Sequence, residues 1–235
     1  MYALILAGGK GERLRPLTDT LPKPMVPVCG KPILEHQIEW LKVSGVTDVI
    51  FLSGYRSDAI QDHFGDGKSF GINTHYSVEN SPLGRGGAIK AGFTDVPASE
   101  DLVAVLNGDV ITEESLDKLM LVHRNRKLAD ASHLATIMVV PMVSPYGLVD
   151  IDSSDTVTGF REKVEMGHWI NAGVYLFDSS IVEELPVLGD HETSTFPRLA
   201  DAGRLAAVRS RKFWQSVDSF KDLREAEEWI KTNKI

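Results

Sequence analysis

Along the first half of the chain, apolar runs of strand length alternate with stretches whose apolar residues recur every three or four positions. Residues 2–7 (YALILA) predict a buried strand. Residues 32–44 predict a helix, with Pro32 in its first turn and Ile33, Leu34, Ile38 and Leu41 on one face. Strands are expected at 46–54, 72–78 and 101–107, and helices at about 57–64 and 113–125. This βαβ rhythm predicts an α/β protein with a mostly parallel sheet and helices on both faces. The second half changes character. Residues 133–141, 146–152, 156–161 and 171–177 read as strands with little helix between them. Residues 192–202 and 219–232 read as helices, the latter with Leu223, Ala226, Trp229 and Ile230 at helical spacing. No linker, repeat or low-complexity tract interrupts the 235 residues, so one unit is expected, the later strands extending the sheet.

Open sheets of this kind bind ligands at the carboxyl ends of their strands. The segments after 2–7, 72–78 and 101–107 should therefore converge. The formal net charge of -8 argues against a nucleic-acid polymer, which needs a broad basic surface. It leaves room for a small phosphorylated ligand, for which a few local cations suffice. The single cysteine, Cys29, excludes an intramolecular disulfide and a cysteine metal cluster. Met1–Ala7 lacks a basic leader and no apolar run is long enough to span a membrane, so a cytoplasmic protein with no membrane partner is expected.

Five segments carry candidate chemistry. LAGGKGERLRPLT, residues 6–18, places Gly8, Gly9 and Gly11 with Lys10, Arg13 and Arg15 directly after the first strand. Glycines let backbone amides approach a phosphate, and arginine adds a charged planar donor fork. A dinucleotide fingerprint is excluded because Leu14 stands where the third glycine belongs and Pro16 and Pro22 hold the chain in a loop. Gly67-Lys68-Ser69 imitates the end of a phosphate-binding P-loop, but Asp62 occupies the place of its first glycine, so it reads as a turn. In PKPMVPVCGKP, Lys23 lies between two prolines that stiffen its loop. Alone it reads as a solvent lysine. In PLGRGGAIKAG, residues 82–92, glycines open a helix after a strand. They serve either a nucleobase, with Glu79 as acceptor for base N–H groups, or close helix–sheet packing. Asn107-Gly108-Asp109 ends the most apolar strand. Its carboxylate, like that of Asp218 before the last helix, is either a cap or a hard-cation ligand. Glu162-Lys163 reads either as a surface ion pair or as a holder of hydroxyls and a phosphate. Asp150, Asp152 and Asp155 lack the glycine and closing glutamate of a calcium loop and read as a β-turn. The seven histidines show no metal-ligand spacing.

Taken together, GGKGERLRPLT, PKPMVPV, LGRGGA, NGD, YGLV, EK and NAGVY resemble, in order and spacing over nearly the whole chain, the sugar-phosphate nucleotidylyltransferases. The resemblance implies a Rossmann-like three-layer fold of the nucleotide-diphospho-sugar transferase type. It implies a nucleotide-binding half at 1–110 and a sugar-phosphate-binding half at 111–235. Leu6, Ala7, Gly8, Gly9, Gly11 and Gly108 would cradle the nucleotide, and Glu79 and Gly84 would face its base. Arg13 and Lys23 would touch the reacting phosphates, and Asp109 and Asp218 would hold Mg²⁺. Tyr146, Gly147, Glu162, Lys163 and Asn171 would surround the sugar and its phosphate. Arg85 departs from the family's usual threonine, and Ser216 from a frequent tryptophan. The left-handed β-helix that some relatives carry at the C-terminus has no counterpart, so no acyltransferase activity is expected.

The resemblance implies attack by a sugar 1-phosphate on the α-phosphorus of a nucleoside triphosphate, with release of pyrophosphate. Arg13, Lys23, Asp109 and Lys163 would be the catalytic set. PLGRGGAIK, NGDV, YGLVDI and INAGVYLF look most similar to guanylyltransferases acting on mannose 1-phosphate or a manno-heptose 1-phosphate. The alternative within the family is a thymidylyl- or uridylyltransferase for glucose 1-phosphate. An alternative of another class is a non-catalytic nucleotide-sugar-sensing subunit, since fold does not fix activity. Such a subunit should have lost charged site residues that are all present here. The partners expected are these small molecules, with a homo-oligomer left open.

Overall fold

The computed structural model describes residues 1–233. The first half runs Tyr2–Leu6 (β1), Pro27–Val28 (β2), Lys31–Pro32 (β3), Ile33–Val43 (α1), Asp48–Ser53 (β4), Ser57–Phe64 (α2), Asn73–Val78 (β5), Gly84–Gly92 (α3) and Leu102–Asn107 (β6). Then follow Val110–Thr112 (β7), Leu116–Ala129 (α4), Ala135–Val143 (β8), Leu148–Ile151 (β9), Val157–Arg161 (β10) and Glu165–Asp178 (β11). Thr195–Asp201 (α5), Leu205–Arg209 (β12), Trp214–Ser216 (β13) and Phe220–Asn233 (α6) complete the chain.

Seven strands form the main sheet in the order β12-β8-β11-β6-β1-β4-β5. β1 runs parallel to β4 and β6, β4 to β5, and β12 to β8, whereas β11 lies antiparallel to both β6 and β8. The strand period of two divides the core between the faces. Ala3 and Ile5 pack with Leu34, Ile38 and Leu41 of α1, Ile60 of α2 and Leu119 of α4. Leu4, between them, packs with Ile89 of α3 and Phe196 of α5 on the other face. Each fully buried leucine or isoleucine among them contributes roughly 1.5–3 kcal/mol. The expected α/β sheet, covered by helices on both faces, is thus present, and it runs across both halves because β11 pairs with β6. A third cluster joins Ala226 and Ile230 of α6 to Leu14, Val26, Ile33 and Val217, fastening the last helix to the loop after β1.

Three differences from the sequence reading have physical causes. β12 was not anticipated. It holds five residues, two of them alanine, and buries only Ala206 and Val208, so its apolar signal is slight. β11 begins at Glu165, six residues before the expected start, because its first part is a mostly exposed extension paired to β8 outside the core. The helix expected from 192 begins at Thr195, because the Asp190 carboxylate accepts the Glu192 N–H (2.9 Å) and holds a turn there.

Candidate active site

The carboxyl ends of β1, β4, β5 and β6 open onto one cleft of about 330 Å³. Leu6, Gly8 and Gly9 line it from the first loop, Glu79 and Gly84 from the third, and Gly108 and Asp109 from the fourth, so the expected convergence occurs. Ala7 does not reach the cleft wall. It is fully buried and gives its N–H to the Leu52 carbonyl (2.7 Å). Beyond Gly9 the chain folds back on itself. Thr18 Oγ1 donates to the Gly11 carbonyl (2.8 Å), and the Lys23 N–H donates to that of Gly9 (3.4 Å). Gly11 has φ +64°, and a Cβ there would lie 2.7 Å from Lys23 Cβ. Only glycine meets both conditions, and its service is to seat Lys23.

Lys23 is the centre of the charged site. Its Nζ donates to Asp109 Oδ2 and, at 2.7 Å, to Asp218 Oδ1. Arg13 Nη2 donates to the same Asp218 oxygen at 2.6 Å, and Ser216 Oγ donates to Asp218 Oδ2 at 3.0 Å. Burial of Asp218 opposes its ionisation. Lys23, by hydrogen bond and charge, together with Ser216 and Arg13, outweighs burial and holds the carboxyl below its ordinary value. The two aspartates are 109 positions apart, and a short ribbon brings them together. β7 pairs antiparallel with β13, Val110 faces Ser216, and the Val217 N–H donates to the Asp109 carbonyl (2.9 Å). Each aspartate therefore flanks one strand of the ribbon. Three-residue strands leave no period to read, so the sequence did not disclose this device.

Across the cleft, Glu79 Oε2 accepts the Leu83 N–H (3.0 Å), which ties one carboxylate oxygen to the turn before α3. The glycines of α3 divide between the two readings. Gly84 lines the cleft, while the Gly86 and Gly87 N–H groups both donate to the Gly189 carbonyl (2.9 and 3.2 Å), where the 186–189 segment packs against the helix.

The sugar-side candidates separate into two groups. Tyr146, Gly147, Glu162 and Lys163 share a second cleft of about 520 Å³, together with Gln215 and Lys221. Asn171 lines neither cleft. Its Nδ2 donates to Tyr175 Oη (2.8 Å) and Glu192 Oε1 (2.9 Å), and its Oδ1 accepts the Gly173 N–H (3.1 Å). Glu192 Oε1 also accepts from Tyr175 Oη (3.0 Å) and Arg85 Nη1 (2.9 Å), and Arg85 Nε donates to Asp190 (2.8 Å). Sequence reasoning marked Arg85 only as a departure and missed its two acidic partners, since nothing in local spacing links positions so far apart.

A family model described as Nucleotidyl transferase matches residues 2–233. The chain belongs to the nucleotidyl transferase family. Its relatives include a mannose-1-phosphate guanyltransferase of Candida glabrata, 35% identical over 228 residues, and a mannose-1-phosphate guanylyltransferase of Mycobacterium tuberculosis, 34% identical over 230 residues. Each alignment covers 94% of this chain and 62% of the relative, so the chain spans about three-fifths of their length. Among solved structures, HddC from Yersinia pseudotuberculosis superposes with a TM-score of 0.74 at 30% identity, covering 97% of this chain and 99% of that one. HddC has also been solved in complex with GMP-PN. A putative glucose-1-phosphate thymidylyltransferase of Bacillus anthracis shares the fold, with a TM-score of 0.77 at 22% identity and coverage of 97% and 95%. No helix among the described residues is long and apolar enough to cross a membrane.

Proposed function

We propose that the chain transfers a nucleoside monophosphate from a nucleoside triphosphate to a sugar 1-phosphate and releases pyrophosphate. The triphosphate is GTP, and the sugar is mannose 1-phosphate or a manno-heptose 1-phosphate. The observation that carries this reading is the Asp109–Lys23–Asp218 cluster, with Lys23 and Asp109 lining the glycine-walled cleft. The guanylyltransferase relatives support the choice of substrates.

The reaction joins two polyanions, so positioning and charge neutralisation are the physical task. An oxygen of the sugar 1-phosphate, already anionic, bonds to the α-phosphorus while the bond to the β-phosphate oxygen breaks and pyrophosphate departs. Arg13 and Lys23 offset the charge of the triphosphate. Lys163 does so for the sugar phosphate. The donor set fits Mg²⁺. Two carboxylates meet on one ammonium, and Asp109 Oδ1 is a buried acceptor without a hydrogen-bond partner among the described residues. Asp109 and Asp218 would hold the ion, whose hard-cation chemistry favours carboxylate oxygens. When bound, Mg²⁺ supplies Lewis-acid polarisation and further neutralisation of phosphate charge.

The test is a matrix assay of each nucleoside triphosphate against a panel of sugar 1-phosphates, reading pyrophosphate release with and without Mg²⁺. GTP with a manno-configured sugar phosphate should give the highest kcat/KM. No turnover with any pair would reject the reading, and a preference for dTTP or UTP would move it to the alternative branch.

A further inference from the structure

Gln37, on α1, is 3% exposed and belongs to no cleft facing the substrates. Its Nε2 donates to two backbone carbonyls, those of Asn107 and Val110, at 2.8 Å each. These carbonyls bracket Gly108-Asp109. Two acceptors on one nitrogen require it to be the NH₂, so the orientation of the amide is fixed by chemistry. The opposite atom, Oε1, is buried, and among the described residues it has no partner, so no other hydrogen bond there holds this side chain.

The turn is gripped from its other sides as well. The Gly108 N–H donates to the Leu6 carbonyl (3.0 Å), and the Asp109 carbonyl accepts the Val217 N–H (2.9 Å). Gln37 supplies the one side-chain clamp among these contacts, and it closes over both ends of the turn at once. Without it, the buried Val110 carbonyl and the half-buried Asn107 carbonyl would lose this donor, and relief would come from rotation of the peptides that carry Asp109. The Asp109 carboxylate follows those peptides, because its bond to Lys23 is made at the end of a short side chain.

We infer that Gln37 is a positioning residue that aims the Asp109 carboxylate at its cation. The inference rests on the proposed metal role of Asp109 and Asp218. It is tested by direct Mn²⁺ binding, followed by electron paramagnetic resonance on the full chain, alongside thermal unfolding. Gln37→Met keeps the volume and apolar stem but has no donor. Leu34→Ala opens a cavity on the same helix and removes no hydrogen bond to the turn, and Asp109→Asn removes the ligand itself. Gln37→Met is expected to weaken Mn²⁺ binding tenfold or more, with Leu34→Ala within twofold of the parent even where its Tm is lower. Mn²⁺ affinity unchanged in Gln37→Met but lost in Asp109→Asn would overturn the inference and leave the metal reading standing. Equal loss in Gln37→Met and Leu34→Ala would also overturn it, since general loosening would explain both. Unchanged affinity in Asp109→Asn would overturn the metal reading and the inference with it.

Discussion

Lys23 is 12% exposed yet serves two carboxylates, so it is ordered before any substrate arrives. Its seat depends on a residue with no side chain. Gly11→Ala would put a Cβ at φ +64° and 2.7 Å from Lys23 Cβ, so the backbone is strained and the clash is relieved only by displacement of Lys23 or of the loop itself. Gly11→Ala should therefore approach the defect of Lys23→Ala, a loss of kcat/KM on the order of 10²–10³, as for other preorganised electrostatic contacts. Steady-state kinetics of the two variants checks this, and near-parental activity in Gly11→Ala would show that the loop re-seats the lysine. On the proposed function, Glu79 would face the base. With Oε2 on the Leu83 N–H, the carboxylate has one oxygen for a ligand. Guanine offers adjacent N–H donors there, while thymine and uracil present acceptors beside their N–H. A buried mismatch of that kind costs about 1–3 kcal/mol. Glu79→Gln should narrow the preference for GTP over dTTP and UTP by about tenfold in competition kinetics. An unchanged ratio would mean that peptide groups alone read the base.

Elements with a strong period were legible and those without one were not. β1, β4, β6 and α1 stand within a residue or two of their expected bounds, since long apolar runs and a helical stripe admit few other readings. The β7–β13 ribbon, β12 and the Asp190 turn escaped because each is short or is held by tertiary bonds. The same division runs through the site. The glycine loop, Lys23 and Asp109 announce themselves by motif, whereas the Asn171–Glu192–Arg85 chain joins α3 to β11 through Glu192, which lies 107 positions from Arg85 and 21 from Asn171. Arg85→Thr would leave Asp190 and Glu192 without their cation, and on the proposed function their charge would then oppose the binding of a phosphate. The pair is half exposed, so the effect is modest. We expect KM for the sugar 1-phosphate to rise about five- to tenfold, with a smaller change for the triphosphate, measured by varying each substrate in turn. Equal changes would make the cluster a scaffold for α3 alone. Lys163 sits after the β9–β10 ribbon, in the second cleft with Tyr146 and Glu162. Lys163→Ala should weaken sugar 1-phosphate binding far more than triphosphate binding in calorimetric titration, and equal losses would reject that division of labour.

At the scale of the whole molecule, the two faces of the sheet are closed by packing that includes histidines kept neutral. His123 is buried, shares the Thr136 hydroxyl with His133, and its pKa is pushed down to about 4, chiefly by burial and then by the charge of His133. His191 is wholly buried among Tyr175, Phe177 and Phe196, neither ring nitrogen has a hydrogen-bond partner among the described residues, and burial, outweighing the Asp190 carboxylate 3.6 Å away, pushes it to about 4 as well. An unfolded histidine titrates near 6.5. Between those values the unfolded chain binds protons that the folded chain refuses, so stability must fall as pH falls. The contribution is intact above about pH 6.5 and is lost progressively toward pH 4. The lowered carboxyls, such as Asp218 and Asp178, act in the same direction but below the ordinary carboxylate range, so the two windows are separable. Each histidine should account for roughly 2–3 kcal/mol over its window. His191→Phe isolates one of them, because an aromatic ring replaces a ring that makes no hydrogen bond in an aromatic nest. Urea unfolding at pH 7.5, 6.0 and 5.0 should show the parent losing stability steadily and His191→Phe losing measurably less, with equal or greater stability at the lowest pH. Parallel losses in both proteins would show that His191 gains a proton without penalty and that the acid response lies elsewhere in the fold.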